Sequence, residues 1–413
     1  MPKALYICYF GVREPLVQTQ VLPYLRELVK GGNEVELLTF EPEKRRTWTR
    51  EEIAAERERL AAEGIVWDCL GYHKRFSVAA TAYDILCGTL FTRRRIAKGD
   101  IDIVHSRVHV PQLMASLARR LSRKRPKLLF DIRGFMPEEY TDAGRWPENG
   151  VVYRTVKRIE RWLLRDADGF VVLTEKAQEI LFPESRETGR DKFGRPVEVI
   201  PCCVDFERRF AGNGHELRER MRAKLGVEGR RVILHLGALG GLYLCEEIAD
   251  LLSAAKAEDA NIFAMFLTQS DPEKIVPLLE ARGFAEKDYF VGRVAPAEIQ
   301  GYLEATDIAL SIVKATLATQ SRSPTKIPEY LACGLPVIAN RGVGDVDSLI
   351  EENSVGVILD EFSAEAYTNA LHAANALGNV GDRCRETARR CFDLKTVAGE
   401  RYRRIYKKVL ERD

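Results

Sequence analysis

The sequence has no apolar run approaching the ~18 residues that a membrane-spanning helix needs, so no segment is expected to cross a bilayer, although attachment to its surface stays open. Its start shows no secretory leader, because Met1-Pro2-Lys3 leads straight into a short apolar run. Nine cysteines are present, none in the paired Cys-x-x-Cys spacing of a zinc site, and neighbours such as Cys202-Cys203 seldom bridge each other. Free thiols in a reducing cytoplasm are therefore expected, with the inner face of the membrane as an alternative address. The Gly-x-Gly-x-x-Gly fingerprint is missing, which demotes a nicotinamide dehydrogenase. No Asp-x-Asp pair stands in a setting suited to a divalent ion, so neither a metal nor a cofactor is expected. The formal net charge is only +2, which names no global electrostatic partner, and no nucleic-acid module is recognisable.

What is present is an ordinary globular composition, 46% hydrophobic and 30% charged over 413 residues, enough for two or three domains. Short apolar runs alternate with amphipathic stretches along the whole chain. Strands are expected at Ala4–Tyr9, Val35–Phe40, Ile65–Cys69, Ile101–His105, Leu128–Asp131, Gly169–Leu173 and Val197–Ile200. A second series is expected at Arg231–Leu236, Ile262–Leu267, Tyr289–Val291, Ile308–Ile312, Val337–Ala339 and Val355–Ile358. Helices are expected over Val17–Lys30, Arg50–Ala62, Ser77–Lys98, Pro111–Leu121 and Tyr153–Leu164, and a basic one over Thr396–Glu411. The fold class is α/β, with two doubly wound parallel sheets in tandem and a boundary near 201–212. Ligands of such sheets bind beyond the carboxyl ends of the strands, so two facing domains would set a site in the cleft between them.

Basic residues gather at Arg93-Arg94-Arg95 with Lys98, and again from Arg119 to Lys127. They read either as solvated helix ends or as a face for an anionic membrane or phosphorylated lipid.

The most informative loop follows the strand Ile308–Ile312. Ser323-Pro324-Thr325 reads as a helix start, and Lys326 places a cation where the helix already carries partial positive charge, which makes sense beside a bound anion such as phosphate. Glu329 lies one turn on, within reach of vicinal hydroxyls such as those of a ribose. An ordinary N-cap before a core helix is the bland alternative. The turn Gly237-Ala238-Leu239-Gly240-Gly241 lets backbone approach a ligand or simply turns tightly. Arg293-Val294 ends another strand. In the first half, His105 and Arg107 end one strand, Asp131 and Arg133 end the next, Glu138 follows, and Glu14, Gln18 and Gln20 lie in or after the first loop. A lone histidine such as His105 is more often structural than catalytic.

The run Pro324-Thr325-Lys326-x-x-Glu329-Tyr330-Leu331-Ala332-x-Gly334-x-Pro336-Val337-Ile338-Ala339 resembles the donor-binding segment of glycosyltransferase family four (group 1), enzymes of the GT-B fold. The family pattern has two Glu separated by seven residues. Here Ser321 stands at the first position and Glu329 at the second, as in a subgroup with Ser-Pro-Thr-Lys before the second Glu. The resemblance implies two facing Rossmann-like domains: residues 1–205 for the acceptor, 206–390 for a nucleoside diphosphate sugar, and a helix, 391–413, returning to the first. It implies that Glu329 binds the ribose, that Ser323, Thr325 and Lys326 surround the diphosphate with Lys314, and that backbone near Val294 receives the base. The Arg and Lys that usually follow the family's glycine turn are absent, so the phosphate charge falls to Lys326, Lys314, Arg322 or Arg293. Arg133 occupies the place of a polar residue near the sugar, often His. Arg133, Lys326 and His105 are thus the expected catalytic groups. Gly237, Gly240, Gly241 and Arg293 complete the donor side. Glu14, Gln18, Gln20, Arg107, Asp131 and Glu138 form the acceptor side.

The function so implied is transfer of a sugar to a hydroxyl acceptor, a saccharide or lipid-linked saccharide, compatible with surface polysaccharide or glycolipid assembly. The family usually retains configuration and needs no metal. A sugar-nucleotide epimerase of the same architecture and a degraded binding subunit remain as alternatives.

Overall fold

The computed structural model describes residues 1–42, 47–73, 77–210 and 214–411. The chain divides into two compact units, Met1–Pro201 with Leu394–Asp413, and Cys202–Asp393. The expected boundary window reaches 211–212, which lies outside the described residues.

The first unit holds β1 (Lys3–Cys8), β2 (Glu34–Pro42), β3 (Ile65–Tyr72), β4 (Ile103–Arg107), β5 (Lys127–Ile132), β6 (Gly169–Val172) and β7 (Val197–Val199). They form one sheet in the order β3-β2-β1-β4-β5-β6-β7. The second holds β8 (Arg231–Leu236), β9 (Ile262–Leu267), β10 (Tyr289–Gly292), β11 (Ile308–Ser311), β12 (Val337–Asn340) and β13 (Gly356–Leu359), in the order β10-β9-β8-β11-β12-β13. Every pairing is parallel. All the expected strands are there, their ends shifted by a few residues. In each unit the order reverses between the first strand and the fourth. In open parallel sheets, such a reversal is where ligands are generally bound, beyond the carboxyl ends of the strands.

The sheets are apolar on both faces because helices cover both. In the second unit Val232, Leu234, Phe263, Met265 and Leu267 pack into one core, while Ile233, Ile262, Ala264 and Phe266 pack into the other. This is the period of two expected of strands buried on either side.

Two helices differ from expectation. The stretch 17–30 is two helices, Pro15–Gln20 and Leu22–Lys30, broken at Val21 (φ −126°, ψ −65°). Pro23 explains the break: it lacks an N–H and its ring would strike the carbonyl four residues back. At the carboxyl end, Leu394–Gly399 is a π-helical stretch leading into the helix Glu400–Leu410. That last helix is tied to β7, since Arg401 donates to the Val199 carbonyl at 2.7 Å and Arg404 pairs with Glu198.

One glycine sets how closely β12 and β13 approach. A Cβ on Gly356 would stand 2.0 Å from the Val337 carbonyl oxygen of β12. Gly356→Ala should therefore destabilise the second unit by about 1–3 kcal/mol, read as a lower urea midpoint with the slope unchanged.

Candidate functional site

The donor-side residues of the second unit converge on the carboxyl ends of β8 and β11. Gly237, Gly240 and Gly241 all have positive φ (+128°, +75° and +68°), so the turn after β8 takes a path that other residues would resist. The turn is pinned on both sides. Tyr243 forms a bridge with Val313 beyond β11, and the Lys314 amide donates to the Leu242 carbonyl at 2.8 Å. Below it, Tyr330 fastens the short helix Lys326–Ala332 to the sheet: its hydroxyl accepts from the Leu236 amide at 2.9 Å and donates to the Leu310 carbonyl at 3.3 Å.

That helix delivers Lys326 to the floor of the turn. The side chain is buried, 5% exposed. Its ammonium lies 4.5 Å from the centre of the Tyr243 ring. It has no hydrogen-bond partner and no carboxylate among the described residues. Burial lowers its pKa to about 7. Beside it sits His235, also buried, whose pKa falls well below the usual value through burial and through the charge of Lys326. Its Nε2 lies 3.1 Å from the Ala238 carbonyl, which can only accept, so the proton is on Nε2 and Nδ1 is left bare. A buried cation without a counter-ion among the described residues leaves positive charge that an anion could answer.

Glu329 lies one turn along, 9% exposed and ion-paired with Arg209. Burial raises its pKa, and Arg209 acts against that rise. Next to the turn is a cavity of about 400 Å³, lined by Gly237, Thr268, Gln269, Ser270, Val294 and Ile299 among others. Arg293 is exposed at its edge and donates to the Gln269 carbonyl at 3.0 Å.

Some expected residues have other employment. The Ser323 hydroxyl accepts the Cys202 amide at 3.1 Å rather than capping the helix, and Thr325 makes no side-chain cap. Lys314 is exposed to solvent. Ser321 is buried and donates to the Ala318 carbonyl at 2.7 Å. The sequence reading missed Arg209, Tyr243 and Lys274. Lys274 donates to the Leu239 carbonyl at 3.1 Å beside Gly240, bringing a cation to a turn that carries none of its own. Only its fold position reveals it, since it follows β9 rather than β8.

In the first unit, His105, Arg107, Asp131 and Arg133 come together at the ends of β4 and β5. Burial by itself would raise the Asp131 carboxyl, but Arg133, His105 and Arg107 together hold it well below the usual carboxylate range. Arg133 Nε donates to Asp131 at 2.9 Å, and its terminal nitrogen donates to the Tyr402 hydroxyl. His105 is wholly buried, its Nδ1 3.0 Å from the Tyr406 hydroxyl and its ring 4.4 Å from that of Tyr6. His105, expected among the catalytic groups, is thus enclosed by Tyr6, Tyr402 and Tyr406 and packs beside Asp131. Arg107 is 3% exposed and donates to the Gln20 carbonyl at 3.1 Å. Gln20 is likewise interior, accepting from Tyr24. Val108 follows Arg107 with φ +65°, a conformation that costs a β-branched residue energy. Glu14 accepts from the Gly11 amide and Gln18 donates to the Val12 carbonyl, so both shape the first loop. Glu138 pairs with Lys157 and accepts from Tyr153, apart from the Asp131 group.

Replacing Lys326 by an apolar isostere removes a desolvated charge. Lys326→Met should raise the melting temperature of the ligand-free protein by a few degrees, a gain that differential scanning calorimetry would detect.

Comparison with known proteins agrees with this architecture. Residues 17–190 match the family model described as a glycosyl transferase 4-like domain, and residues 230–375 match that of glycosyl transferases group 1. The chain is 24% identical over 221 residues to spore coat protein SA of Bacillus subtilis, covering 49% of this chain and 55% of that protein. It is 27% identical over 161 residues to 2-deoxystreptamine glucosyltransferase of Streptomyces kanamyceticus, covering 38% of this chain and 39% of that one. The matches thus span about half or less of these curated relatives. Among solved structures, a glycosyltransferase from Rickettsia africae superposes with a TM-score of 0.70 at 16% identity, covering 100% of this chain and 99% of its own. Anabaena HepE in complex with UDP and glucose does so with a TM-score of 0.66 at 14% identity, covering 98% and 100%. Two parallel-sheet units of this topology, with family matches across both, identify the chain as a member of the group 1 glycosyltransferases of the GT-B fold.

Proposed function

We propose that the chain transfers a sugar from a nucleoside diphosphate sugar to a hydroxyl of a saccharide or lipid-linked saccharide. The observation that carries this reading is the buried, unpaired ammonium of Lys326 under the glycine turn. A diphosphate there gains a desolvated cation, backbone N–H groups of the turn, and Lys274 at its edge. Glu329, held by Arg209, has a second carboxylate oxygen for the ribose hydroxyls. The cavity by Val294 takes the base. The solved HepE complex, a likeness of fold, carries UDP and glucose.

In the reaction the bond from the anomeric carbon to the diphosphate oxygen breaks, and a bond from that carbon to the acceptor oxygen forms. The charge left on the diphosphate develops beside Lys326, where a preorganised cation stabilises it most. Attack on the face that the diphosphate leaves would let that phosphate oxygen take the acceptor proton, retaining configuration. The positive charge comes from side chains, so the reading is metal-independent.

One observation favours a second reading. With Ser321 turned inward on its own backbone, no carboxylate from that position meets the sugar, as a binding subunit without transfer activity would allow. Release of nucleoside diphosphate from any donor separates the two, and a screen of UDP-, GDP-, ADP- and TDP-sugars by thermal shift finds that donor.

With the donor so found, Lys326→Ala should lower turnover at least about a hundredfold and weaken donor binding. Glu329→Gln should weaken donor binding about tenfold with little change in melting temperature. Wild-type values in both would overturn the assignment. The pH dependence has a definite sign. The groups beside Lys326 are His235 and Tyr243. A diphosphate raises the pKa of Lys326 above its unliganded value of about 7, so binding takes up a proton. Donor affinity should therefore fall as pH rises from 7 to 9, and calorimetry in buffers of different ionisation enthalpy should register the uptake.

A further inference from the structure

The helix Ser77–Lys98 of the first unit has an exposed side that nothing in the site uses. On it Val78 is 78% exposed, Tyr83 55%, Leu86 55% and Leu90 38%, and Ala79 and Ala82 between them are exposed as well. At 100° per residue these positions fall in one arc of the helix. The one carboxylate of the helix is Asp84. It is fully buried, accepting from the Tyr9 hydroxyl and the His73 amide. The exposed side is thus apolar and free of acid for its first four turns.

Toward its end the same helix turns basic. Arg93, Arg94 and Lys98 are exposed, and none makes an ion pair among the described residues. The fold then joins the two basic runs that the sequence holds apart. Arg93 Nε donates to the Leu121 carbonyl at 2.9 Å, which sets Leu121, itself 59% exposed, beside the end of the helix. Arg123 and Arg125 follow it, exposed and without ion pairs among the described residues. The other cations of these runs are spoken for. Arg95 pairs with Glu36, Lys124 with Asp100, Arg119 with Asp166 and Asp168, and Lys127 with Asp168. What remains uncompensated is an exposed apolar stripe ending in five cations.

We propose that this side of the first unit docks on an anionic lipid surface, the apolar stripe entering the headgroup boundary and the cations meeting the lipid phosphates. Exposed apolar residues alone would suit another protein equally well. The charge decides for lipid: every uncompensated charge on the stripe has one sign, and an interfacial helix combines an apolar face with Lys and Arg beside it. No helix among the described residues is long and apolar enough to cross a membrane, so attachment of this kind is peripheral. The surface lies outside the donor site, so this inference and the proposed activity can fail separately.

The test is co-sedimentation of the full chain with vesicles of phosphatidylcholine alone or mixed with phosphatidylglycerol. Binding to the mixed vesicles only, weakened by salt, is the expected result. The double variant Leu86→Glu/Leu90→Glu should lower the partition about tenfold or more, because it puts charge where the stripe enters the lipid. The triple variant Arg93→Gln/Arg94→Gln/Lys98→Gln should lower it too and flatten its salt dependence. Both sets of residues are exposed, so melting temperature and donor binding should stay at wild-type values. Failure of the wild-type chain to bind anionic vesicles at low salt would overturn the proposal. So would unchanged partition in the Leu86/Leu90 variant, or a wild-type dimer in solution that this variant dissociates.

Discussion

Burying a positive charge with nothing to answer it is costly, and the second unit does so at Lys326. Much of the local structure maintains that arrangement. Tyr330 locks the helix that carries the lysine onto two strand ends. The Tyr243 ring, in the turn that the three glycines shape, offers only its π face. Glu329, the nearest acid on the same helix, is engaged by Arg209. Such burial costs local stability, and on the proposed function a bound diphosphate would offset that cost.

The first unit answers the opposite problem. Asp131 is buried with two arginines near it and a neutral histidine at its back. Its charge is satisfied from several sides, and Tyr402 and Tyr406 close the group from the last helix. In composition the two clusters look alike, each a mixture of basic residues and tyrosine at strand ends. In chemistry they differ, because Lys326 has no acid paired with it among the described residues, while the other cluster is organised around Asp131.

This difference marks where sequence reading stops. The strand series was legible because strands buried on both faces are short apolar runs, and Leu234 and Ile233 need no partner identified to be read as strand. Lys326 and the glycine turn were legible from local pattern. The break at Val21 could be traced to Pro23, but its effect is easily outvoted by the amphipathic pattern around it. Lys274 and Arg209 were not legible, since each reaches the site from an element whose neighbours only the fold decides. The interior position of His105 was equally hidden, as it depends on tyrosines some 300 positions away: the bond to Tyr406 spans 301 residues.

That long separation has a consequence for how the molecule is made. The first unit is built from residues 1–201 and again from 394 onward, with the whole second unit synthesised between them. Tyr402, Tyr406, Arg401 and Arg404 supply further partners to β5, β4 and β7. During synthesis the first sheet therefore lacks its cover over Asp131 and His105 until residues 402–406 have been made, while the second unit, continuous in sequence, can close beforehand. Of the two units, the one begun first is completed second.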